Sequence, residues 1–348
     1  MLGSSPYFKR LSVGLYCPYE GLSDLVVSLK LLYALKYIYN AKVIVFGSKV
    51  NESLARAIEF IDEYVELSYD IKYEKDKRKN RDIINEFMLD YIIPLRAGNK
   101  SINFLKSTNA KFIIIRTKEE LEYSSRFIFV NFENNKKLQQ SNEFLRVLYR
   151  ARSINSALFD KEISKLSFDI DIQTKKKHKE KIDNFFKNIN NPLNSILISP
   201  FAKETKYNLR LKDYIKFIKE ARTKYPYLNF IVLTNEKTHE NFLEHIDKID
   251  EKLLKSIYIF KNDGDILNIC ELLKRVKCLI APSSGTMYLA TILKINSIGL
   301  YSLHDTVYWE SFNKNYVLLE KIKDGLNKTD IQNAIGMLLF KLAEFLRK

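Results

Sequence analysis

The sequence has 348 residues, of which 46% are hydrophobic, and it contains only 10 glycines and 7 prolines. These proportions exclude a fibrous or disordered chain, and the length is sufficient for two domains with cores of their own. The formal net charge of +15 favours polyanionic partners: nucleic acid, an anionic lipid surface or a phosphorylated substrate. The alternative is compositional drift, because the high Lys, Ile and Asn content suggests an AT-rich genome that would raise the number of lysines without any function.

Signals for targeting and for metal binding are weak. The first ten residues lack a basic region followed by an apolar core, so we expect no signal peptide. No apolar run approaches the ~20 residues that a membrane-spanning helix needs. The three cysteines lie among apolar residues without CxxC spacing, and the four histidines are scattered. We therefore expect a reducing cytosol and no metal site.

In chain order, the first half alternates short apolar runs with segments of helical periodicity. Residues 11–17 predict a strand, residues 18–23 a loop, and residues 24–39 a helix with apolar residues at 3.6-residue spacing. Further strands are predicted at 42–46, 64–67, 91–95, 112–116 and 127–130, further helices at 54–61 and 139–151, and a charged loop that merges into a helix at 76–82. This alternation indicates a parallel sheet with helices on both faces.

Residues 169–181 show the weakest pattern and end in a basic run at 175–179. We interpret this run as a solvated linker, with a dedicated polyanion site as the alternative, and we place the domain boundary here. The predicted domains are residues 1–178, residues 179–327 and a closing helix at residues 328–348.

The second half restarts the α/β pattern. Strands are predicted at 195–198, 230–233, 256–260, 278–281 and 297–301, and helices at 212–222, 236–245, 265–275 and 286–293. The architecture thus repeats without a sequence repeat, which predicts two doubly wound α/β domains. Their active site is expected in the cleft where the carboxyl ends of both sheets meet.

The clearest site signal is the strand–turn–helix–strand unit at residues 277–301. Its turn would lie beyond the carboxyl end of a strand, where the free N–H groups and the dipole of the next helix favour a phosphate. Ser283, Ser284 and Thr286 could add hydroxyl donors, and Gly285 lets the backbone approach a ligand. The alternative is an ordinary strand-to-helix turn with Ser284 as the N-cap.

Three other positions could carry chemistry. Asp24 follows the first strand and opens a helix, so it is either a general base or a first-turn acid that stabilises that helix. The loop after residue 198 holds Lys203, Thr205 and Lys206, which suit a diphosphate but also suit a solvated basic loop. An acid after the strand at 230–233, Glu236 or Glu240, is either a ribose contact or a plain surface acid.

The order of these segments resembles bacterial glycosyltransferase family 9, the ADP-heptose:lipopolysaccharide heptosyltransferases, over nearly the whole length. Residues 22–29 (Leu-Ser-Asp-Leu-Val-Val-Ser-Leu) stand where that family has Gly-Asp and a Leu-rich helix. Residues 199–209 (Ser-Pro-Phe-Ala-Lys-Glu-Thr-Lys-Tyr-Asn-Leu) resemble its lysine loop, with Asn-Leu in place of Trp-Pro. Residues 283–290 (Ser-Ser-Gly-Thr-Met-Tyr-Leu-Ala) resemble its Asp-Thr-Gly-x-x-His-Leu-Ala segment, and Asp305 falls where it often has an acid.

The resemblance implies a GT-B fold and an inverting, metal-independent transfer of a sugar from a nucleotide-sugar, without a separate cofactor. The donor would be ADP-linked, and the acceptor a lipopolysaccharide or lipooligosaccharide core. The resemblance implies a cytoplasmic enzyme in peripheral contact with the anionic inner face of the inner membrane, with no nucleic acid partner. Asp24 would be the base. The implied donor-binding residues are Ser199, Lys203, Thr205, Lys206, Glu240, Ser283, Ser284, Gly285, Thr286 and Tyr288.

Departures from the family pattern leave alternatives. Ser283 and Tyr288 stand where the family has Asp and His, which favours a different nucleotide-sugar donor with a protein or capsule acceptor. A non-catalytic sugar-nucleotide binder is a second alternative, which retention of Asp24 argues against. A nucleic-acid binder, driven by the net charge, is a third and would bind oligonucleotides with a steep salt dependence.

Overall fold

The computed structural model describes residues 10–19, 21–68, 74–96, 98–116, 124–130, 138, 141–202, 207–246, 251–309, 311–319 and 328–347. The chain divides into two compact units, Met1–Asp171 and Ile172–Lys348. Each unit is built on a parallel sheet with helices, which confirms the predicted α/β class with two Rossmann-like domains.

The sheet of the first unit has its earliest strand in the middle. Its strands are β1 (Ser12–Cys17), β2 (Lys42–Gly47), β3 (Glu63–Glu66), β4 (Tyr91–Pro94), β5 (Phe112–Arg116) and β6 (Phe127–Val130). Within the described residues their order is β3-β2-β1-β4-β5-β6, and every neighbouring pair is parallel. The chain adds strands first on one side of β1 and then on the other, so the topological switch point lies between β1 and β4.

The sequence of β1 explains its central position. All six residues of β1 are buried, as expected for an inner strand of a parallel sheet covered on both faces. Leu15 pairs with Val45 of β2 on one side and with Ile93 of β4 on the other.

Helices cover this sheet. They are α1 (Leu22–Tyr39), α2 (Glu52–Arg56), α3 (Glu74–Asn85), α4 (Asn99–Lys106), α5 (Glu143–Leu148) and α6 (Ser156–Glu162). The long helix α1 is apolar around most of its circumference, because it packs on β1 and β2 and is itself covered by α5 and α6. This burial fixes where α1 begins, and therefore where Asp24 lies.

The second unit repeats the plan. Its strands are β7 (Ser195–Ile198), β8 (Asn229–Asn235), β9 (Ile257–Asn262), β10 (Cys278–Pro282), β11 (Ser297–Tyr301) and β12 (Tyr316–Leu318). In the part of the chain that the structure describes their order is β12-β11-β10-β7-β8-β9, again parallel throughout. The switch point of this sheet lies between β7 and β10.

The helices of the second unit include the last long helix of the chain. They are α7 (Lys176–Phe186), α8 (Leu211–Lys224), α9 (His239–Ile246), α10 (Glu251–Leu254), α11 (Ile266–Leu273), α12 (Gly285–Ile292), α13 (Leu303–Tyr308) and α14 (Lys328–Leu346). Ile331, Ile335, Leu338 and Leu342 form the buried stripe of α14 at helical spacing, and they join the core formed by β7, β8, β10 and β11. The expected amphipathic helix at the end of the sequence is confirmed, and its apolar stripe belongs to the second unit's core.

Most strands follow the prediction, but several short elements differ from it. The basic run at 175–179 is not a linker, because most of it forms the first turn of α7, whose His178, Ile182 and Phe186 are buried. Strand β12 and helices α4, α6, α10 and α13 were not predicted, since each is short and lacks a clear period. No helix among the described residues is long and apolar enough to cross a membrane.

Candidate functional site

Both sheets end in polar turns at their switch points. In open parallel sheets, ligands bind outside the carboxyl ends of the strands, at the point where the strand order reverses. In the first unit this point is bordered by the segments after β1 and β4, and in the second unit by the segments after β7 and β10. The predicted site residues divide between these two places.

Asp24 lies at the switch point of the first unit, in the first turn of α1. The residue is 9% exposed. Arg96, two residues beyond β4, donates from Nε and Nη2 to Asp24 Oδ1 at 3.1 and 2.9 Å, and Asp24 Oδ2 lies 2.9 Å from the same Nη2. A carboxylate at this edge is therefore held by a guanidinium from the neighbouring strand.

The turn before α1 brings further polar groups to this carboxylate. Gly21 is the N-cap of α1, and a Cβ at this position would lie 3.4 Å from Asp24 Oδ2. The ring of Tyr19 lies under the Arg96 guanidinium, 5.3 Å from it, and burial raises the pKa of the Tyr19 phenol. The thiol of Cys17 is buried, and both this burial and the charge of Asp24 raise its pKa. Both neighbours are therefore neutral at physiological pH, and Asp24 and Arg96 carry the charge among these four residues.

In the second unit, Ser199 and the turn after β10 border the same switch point. Ser199 is buried directly after β7, and its N–H donates to the carbonyl of Ile280 in β10 at 3.0 Å. The turn itself holds Ser284 as the N-cap of α12, with its Oγ accepting from the N–H of Met287 at 3.5 Å. The structure therefore brings Ser199 and residues 283–286 to adjacent strand ends.

Gly285 and Thr286 are half-buried in the first turn of α12. The first N–H groups of a helix lack intrahelical acceptors, and the helix dipole favours an anion beside them. The capping role of Ser284 and the anion-binding role are compatible, because a single side-chain cap satisfies only one of these donors.

Ser283 and Tyr288 form a pair across this turn. Ser283 Oγ and Tyr288 Oη lie 2.7 Å apart, which is a hydrogen bond in which either hydroxyl donates. The Tyr288 ring stacks on the indole of Trp309, which follows α13. Two neutral hydroxyls therefore occupy the positions at which the resembled family has Asp and His.

The lysine loop is described only at its ends. Lys203, Thr205 and Lys206 lie outside the described residues. At the base of the loop, Asn208 Nδ2 donates to the carbonyl of Pro200 at 2.6 Å, and Asn208 Oδ1 accepts from the Tyr214 hydroxyl at 2.7 Å. Asn208 therefore joins the two ends of the loop and ties them to α8.

Glu240 is exposed in the first turn of α9. The strand order here is β10-β7-β8; Ser199 follows β7, and α9 follows β8. Glu240 therefore lies one strand further from β10 than Ser199 does. Asp305 has a different environment, since it closes a capping box with Ser302 at the start of α13, where Ser302 Oγ donates to Asp305 Oδ2 at 2.8 Å. Asp305 therefore has a structural function at the start of this helix.

Sequence reasoning missed Arg96, Trp309 and the loop-closing role of Asn208. Arg96 could have been found, because it directly follows the predicted strand at 91–95, and a charged residue at a strand's carboxyl end is a site signal. The part of the chain that the structure describes holds no group of three or more His, Cys, Asp or Glu residues placed to bind a metal ion.

Two parallel sheets of six strands each among the described residues, each with polar residues at its switch point, are the architecture of GT-B proteins. The family model of glycosyltransferase family 9 (heptosyltransferase) matches residues 102–337. The chain belongs to this family. The matched residues include the second unit's whole sheet but neither Asp24 nor Arg96.

Solved structures with the same fold include members of this family. The glycosyl transferase family 9 protein from Veillonella parvula has a TM-score of 0.74 at 9% identity, covering 96% of this chain and 97% of that one. The ADP-heptose LPS heptosyltransferase II of E. coli has a TM-score of 0.72 at 14% identity, covering 96% and 98%. The E. coli heptosyltransferase WaaC, with ADP-2-deoxy-2-fluoro heptose, has a TM-score of 0.59 at 9% identity, covering 94% and 99%. Comparison with curated protein sequences gives no significant match.

Proposed function

We propose that this glycosyltransferase moves a heptose-like sugar from an ADP-linked donor to a lipopolysaccharide or lipooligosaccharide core acceptor. The observation that carries the proposal is the carboxylate of Asp24, oriented by Arg96 at the switch point of the first unit. An ionised, oriented carboxylate at this edge is the group that a hydroxyl nucleophile needs as its general base.

The proposed reaction is one displacement with inversion. The acceptor oxygen attacks the anomeric carbon of the donor sugar while its proton passes to a carboxylate oxygen of Asp24. The bond between the anomeric carbon and the diphosphate oxygen breaks, and the nucleoside diphosphate departs with the electron pair. The leaving group is an anion, so fixed positive potential lowers the barrier and no metal ion is required for charge balance.

The second unit would hold the donor. The N-terminus of α12 and the hydroxyls of Ser283, Ser284 and Thr286 suit a diphosphate, and Gly285 leaves room for it. Lys203, Thr205 and Lys206 would add charges and a hydroxyl donor from the loop after β7, with Ser199 at its base. Glu240 would accept hydrogen bonds from the ribose.

The ADP-linked donor is supported by the family and by the two E. coli heptosyltransferases named above, one of which is an ADP-heptose LPS heptosyltransferase and the other of which was solved with ADP-2-deoxy-2-fluoro heptose. The net charge of +15 fits a phosphorylated acceptor at an anionic membrane surface. We place the enzyme in the cytoplasm, in peripheral contact with the inner face of the inner membrane, without a nucleic acid partner.

One observation favours a second candidate function. Ser283 and Tyr288 form a neutral hydroxyl pair where the family motif carries Asp and His. The charge beside the proposed donor site therefore differs from the charge that the family motif places there. A nucleotide-sugar other than ADP-heptose, transferred to a protein or capsule acceptor, is therefore the alternative.

A thermal-shift panel tests the donor. ADP-, UDP-, GDP- and CMP-linked sugars and the free nucleotides are compared, and a specific ligand at a hundredfold excess over its Kd stabilises by about 2.7 kcal/mol. Stabilisation by ADP and ADP-heptose alone supports the proposal, and stabilisation by another nucleotide supports the alternative. Nucleotide release is then measured with the stabilising donor and a series of core oligosaccharide acceptors truncated at successive sugars; no release with any of these acceptors contradicts the proposed acceptor.

A further inference from the structure

Arg150 is a buried cation in the first unit. The residue is 5% exposed, and burial lowers the pKa of its guanidinium to about 10. Its Nη1 donates to the carbonyl oxygens of Pro94 and Leu95 at 2.5 and 3.0 Å, while its Nε has no hydrogen-bond partner among the described residues. Burial of a guanidinium costs desolvation free energy that its remaining hydrogen bonds and charge partners repay only in part. An apolar side chain of similar volume would be buried at a lower cost in free energy. The contribution of Arg150 therefore lies in the two carbonyls that it holds.

These two carbonyls belong to the turn that carries Arg96. The N–H of Leu95 donates to the carbonyl of Tyr16 in β1 at 3.0 Å. The carbonyl of Arg96 accepts from the Tyr19 hydroxyl at 3.2 Å. Together with the two bonds from Arg150, these contacts constrain the backbone at each of residues 94, 95 and 96.

The fixed turn directs the Arg96 side chain to Asp24. That side chain is 58% exposed, so packing alone would leave it free to take many rotamers. Its two hydrogen bonds to Asp24 Oδ1 therefore require a backbone that presents the guanidinium in the right direction. A continuous series of contacts runs from Arg150 through residues 94–96 to Asp24.

We propose that Arg150 is a positioning residue for transfer, acting through the turn after β4 and Arg96 on the carboxylate of Asp24. The proposal rests on the proposed role of Asp24 as the base. A base must be held within about 0.5 Å and 10–20° of its working geometry, and side chains fixed by a supporting layer of contacts achieve this. Arg150 supplies that layer from inside the protein and does not touch the substrate.

The kinetic test uses Arg150→Met with Arg152→Met as its matched control. Arg152 is two residues away, 46% exposed, and paired with Asp160 at 2.6 and 2.8 Å. We expect Arg150→Met to lower kcat about 10- to 100-fold, as a misplacement near 1 Å does, and to leave the donor KM unchanged. Arg152→Met retains both values. A change of Tm in Arg150→Met with wild-type kcat overturns the proposal.

A double-mutant cycle with Arg96→Gln separates positioning from general destabilisation. If Arg150 acts through Arg96, the double variant has the kcat of Arg96→Gln alone, because the pair between Arg96 and Asp24 is already lost in that variant. Multiplication of the two single effects contradicts the proposal. Should Arg150→Met not fold, Arg150→Lys replaces it in the same cycle, since lysine keeps the charge but not the two-carbonyl geometry.

An NMR measurement makes the test independent of activity. The Arg96 Nε–H signal, assigned by its loss in Arg96→Lys, is expected to be protected from solvent exchange in the wild type, because Nε donates to Asp24. Protection is lost in Arg150→Met and retained in Arg152→Met; equal protection in both overturns the positioning proposal. Full activity in Asp24→Asn would instead refute the proposed base, and the exchange result would still report whether Arg150 orders Arg96.

Discussion

Tyr288 stacks on Trp309 with ring centroids 4.5 Å apart and an angle of 21° between the ring planes. Tyr288 is the residue whose hydroxyl bonds Ser283 in the turn before α12. Trp309 is the only tryptophan in the sequence. The turn proposed to bind the donor diphosphate is therefore connected, through one ring, to the single indole of the protein.

Tryptophan fluorescence should report donor binding. We expect the emission of Trp309 to change in a saturable way as the stabilising nucleotide is added, because movement of residues 283–286 alters the ring stacked on the indole. The measurement is a titration with selective excitation of tryptophan, and its midpoint should match the Kd from calorimetry. Trp309→Phe is the control, since it keeps an aromatic ring but has no indole signal. If calorimetry shows that the nucleotide binds and the emission of Trp309 does not change, the proposed link between residues 283–286 and Trp309 is wrong.

Removal of the Ser283–Tyr288 hydrogen bond should weaken donor binding. Tyr288→Phe keeps the ring on Trp309 but removes the hydroxyl that orients Ser283 in the proposed donor site, and loss of one oriented hydrogen bond from Ser283 to the donor, worth about 1 kcal/mol, would raise the Kd roughly fivefold. Isothermal titration with the donor measures this change. Tyr39→Phe is the matched control, because it removes a hydrogen-bonded tyrosine hydroxyl from the first unit. The Tyr39 hydroxyl donates to the carbonyl oxygens of Ala151 at 2.8 Å and Asn155 at 3.2 Å. An equal loss of affinity in both variants would contradict a role of the hydroxyl pair at the donor site.

Asp24→Asn should abolish transfer and retain donor binding. An amide of the same shape cannot accept the acceptor's proton, and loss of a general base lowers kcat by about 10²- to 10⁴-fold. Nucleotide release and donor titration are measured on the same sample. Asp160→Asn, which breaks the exposed pair with Arg152, is the control and should retain full activity. A wild-type kcat in Asp24→Asn contradicts the proposed mechanism.

The sequence predicted most of this fold for a simple reason. Inner strands of parallel sheets, such as β1 and β10, are continuous apolar runs, and the residues after them necessarily lie at the carboxyl edge of the sheet. Asp24 and residues 283–286 could therefore be predicted to lie at strand ends from local sequence alone.

The remaining site features depend on contacts between distant parts of the chain. Arg96 meets Asp24 only because β4 pairs with β1, and no local pattern specifies that pairing. The basic run at 175–179 looks like a linker, yet it forms a helix because His178 is buried against Asp265, 87 residues away, at 3.0 Å. Trp309 reaches Tyr288 through α13, which is too short to show a period.

The apolar stripe of α14 should be essential to the second unit. Leu338 is fully buried in its core, whereas the adjacent Met337 is 47% exposed. We expect Leu338→Ala to destabilise the protein by about 2–5 kcal/mol, because it leaves a cavity among fixed neighbours. Met337→Ala is the matched control and should lie within about 0.5 kcal/mol of the wild type. Denaturant unfolding measures both, and equal values would mean that α14 contributes little to this core.

Asp62 should make stability depend on pH in the acid range. Burial opposes its ionisation, but hydrogen bonds from Lys36 Nζ at 2.6 Å and the Val43 N–H at 2.8 Å, with the charges of Lys36 and Arg10, outweigh that effect and lower its pKa. Because the folded-state pKa lies below the unfolded value of about 3.9, the stabilisation is complete well above that pH and is lost as the pH falls through the folded pKa.

Asp62→Asn should therefore lower the Tm at neutral pH, by the equivalent of roughly 1–2 kcal/mol after allowance for solvent screening. The difference from the wild type should shrink as the pH falls below about 4, because the wild-type carboxylate is then protonated as well. Calorimetry across this range measures the effect. Asp82→Asn is the control, since its carboxylate is 66% exposed beside Arg81. A Tm difference for Asp62→Asn that stays constant from neutral to acid pH would show that the amide disturbs packing and that the charge of Asp62 does not stabilise the fold.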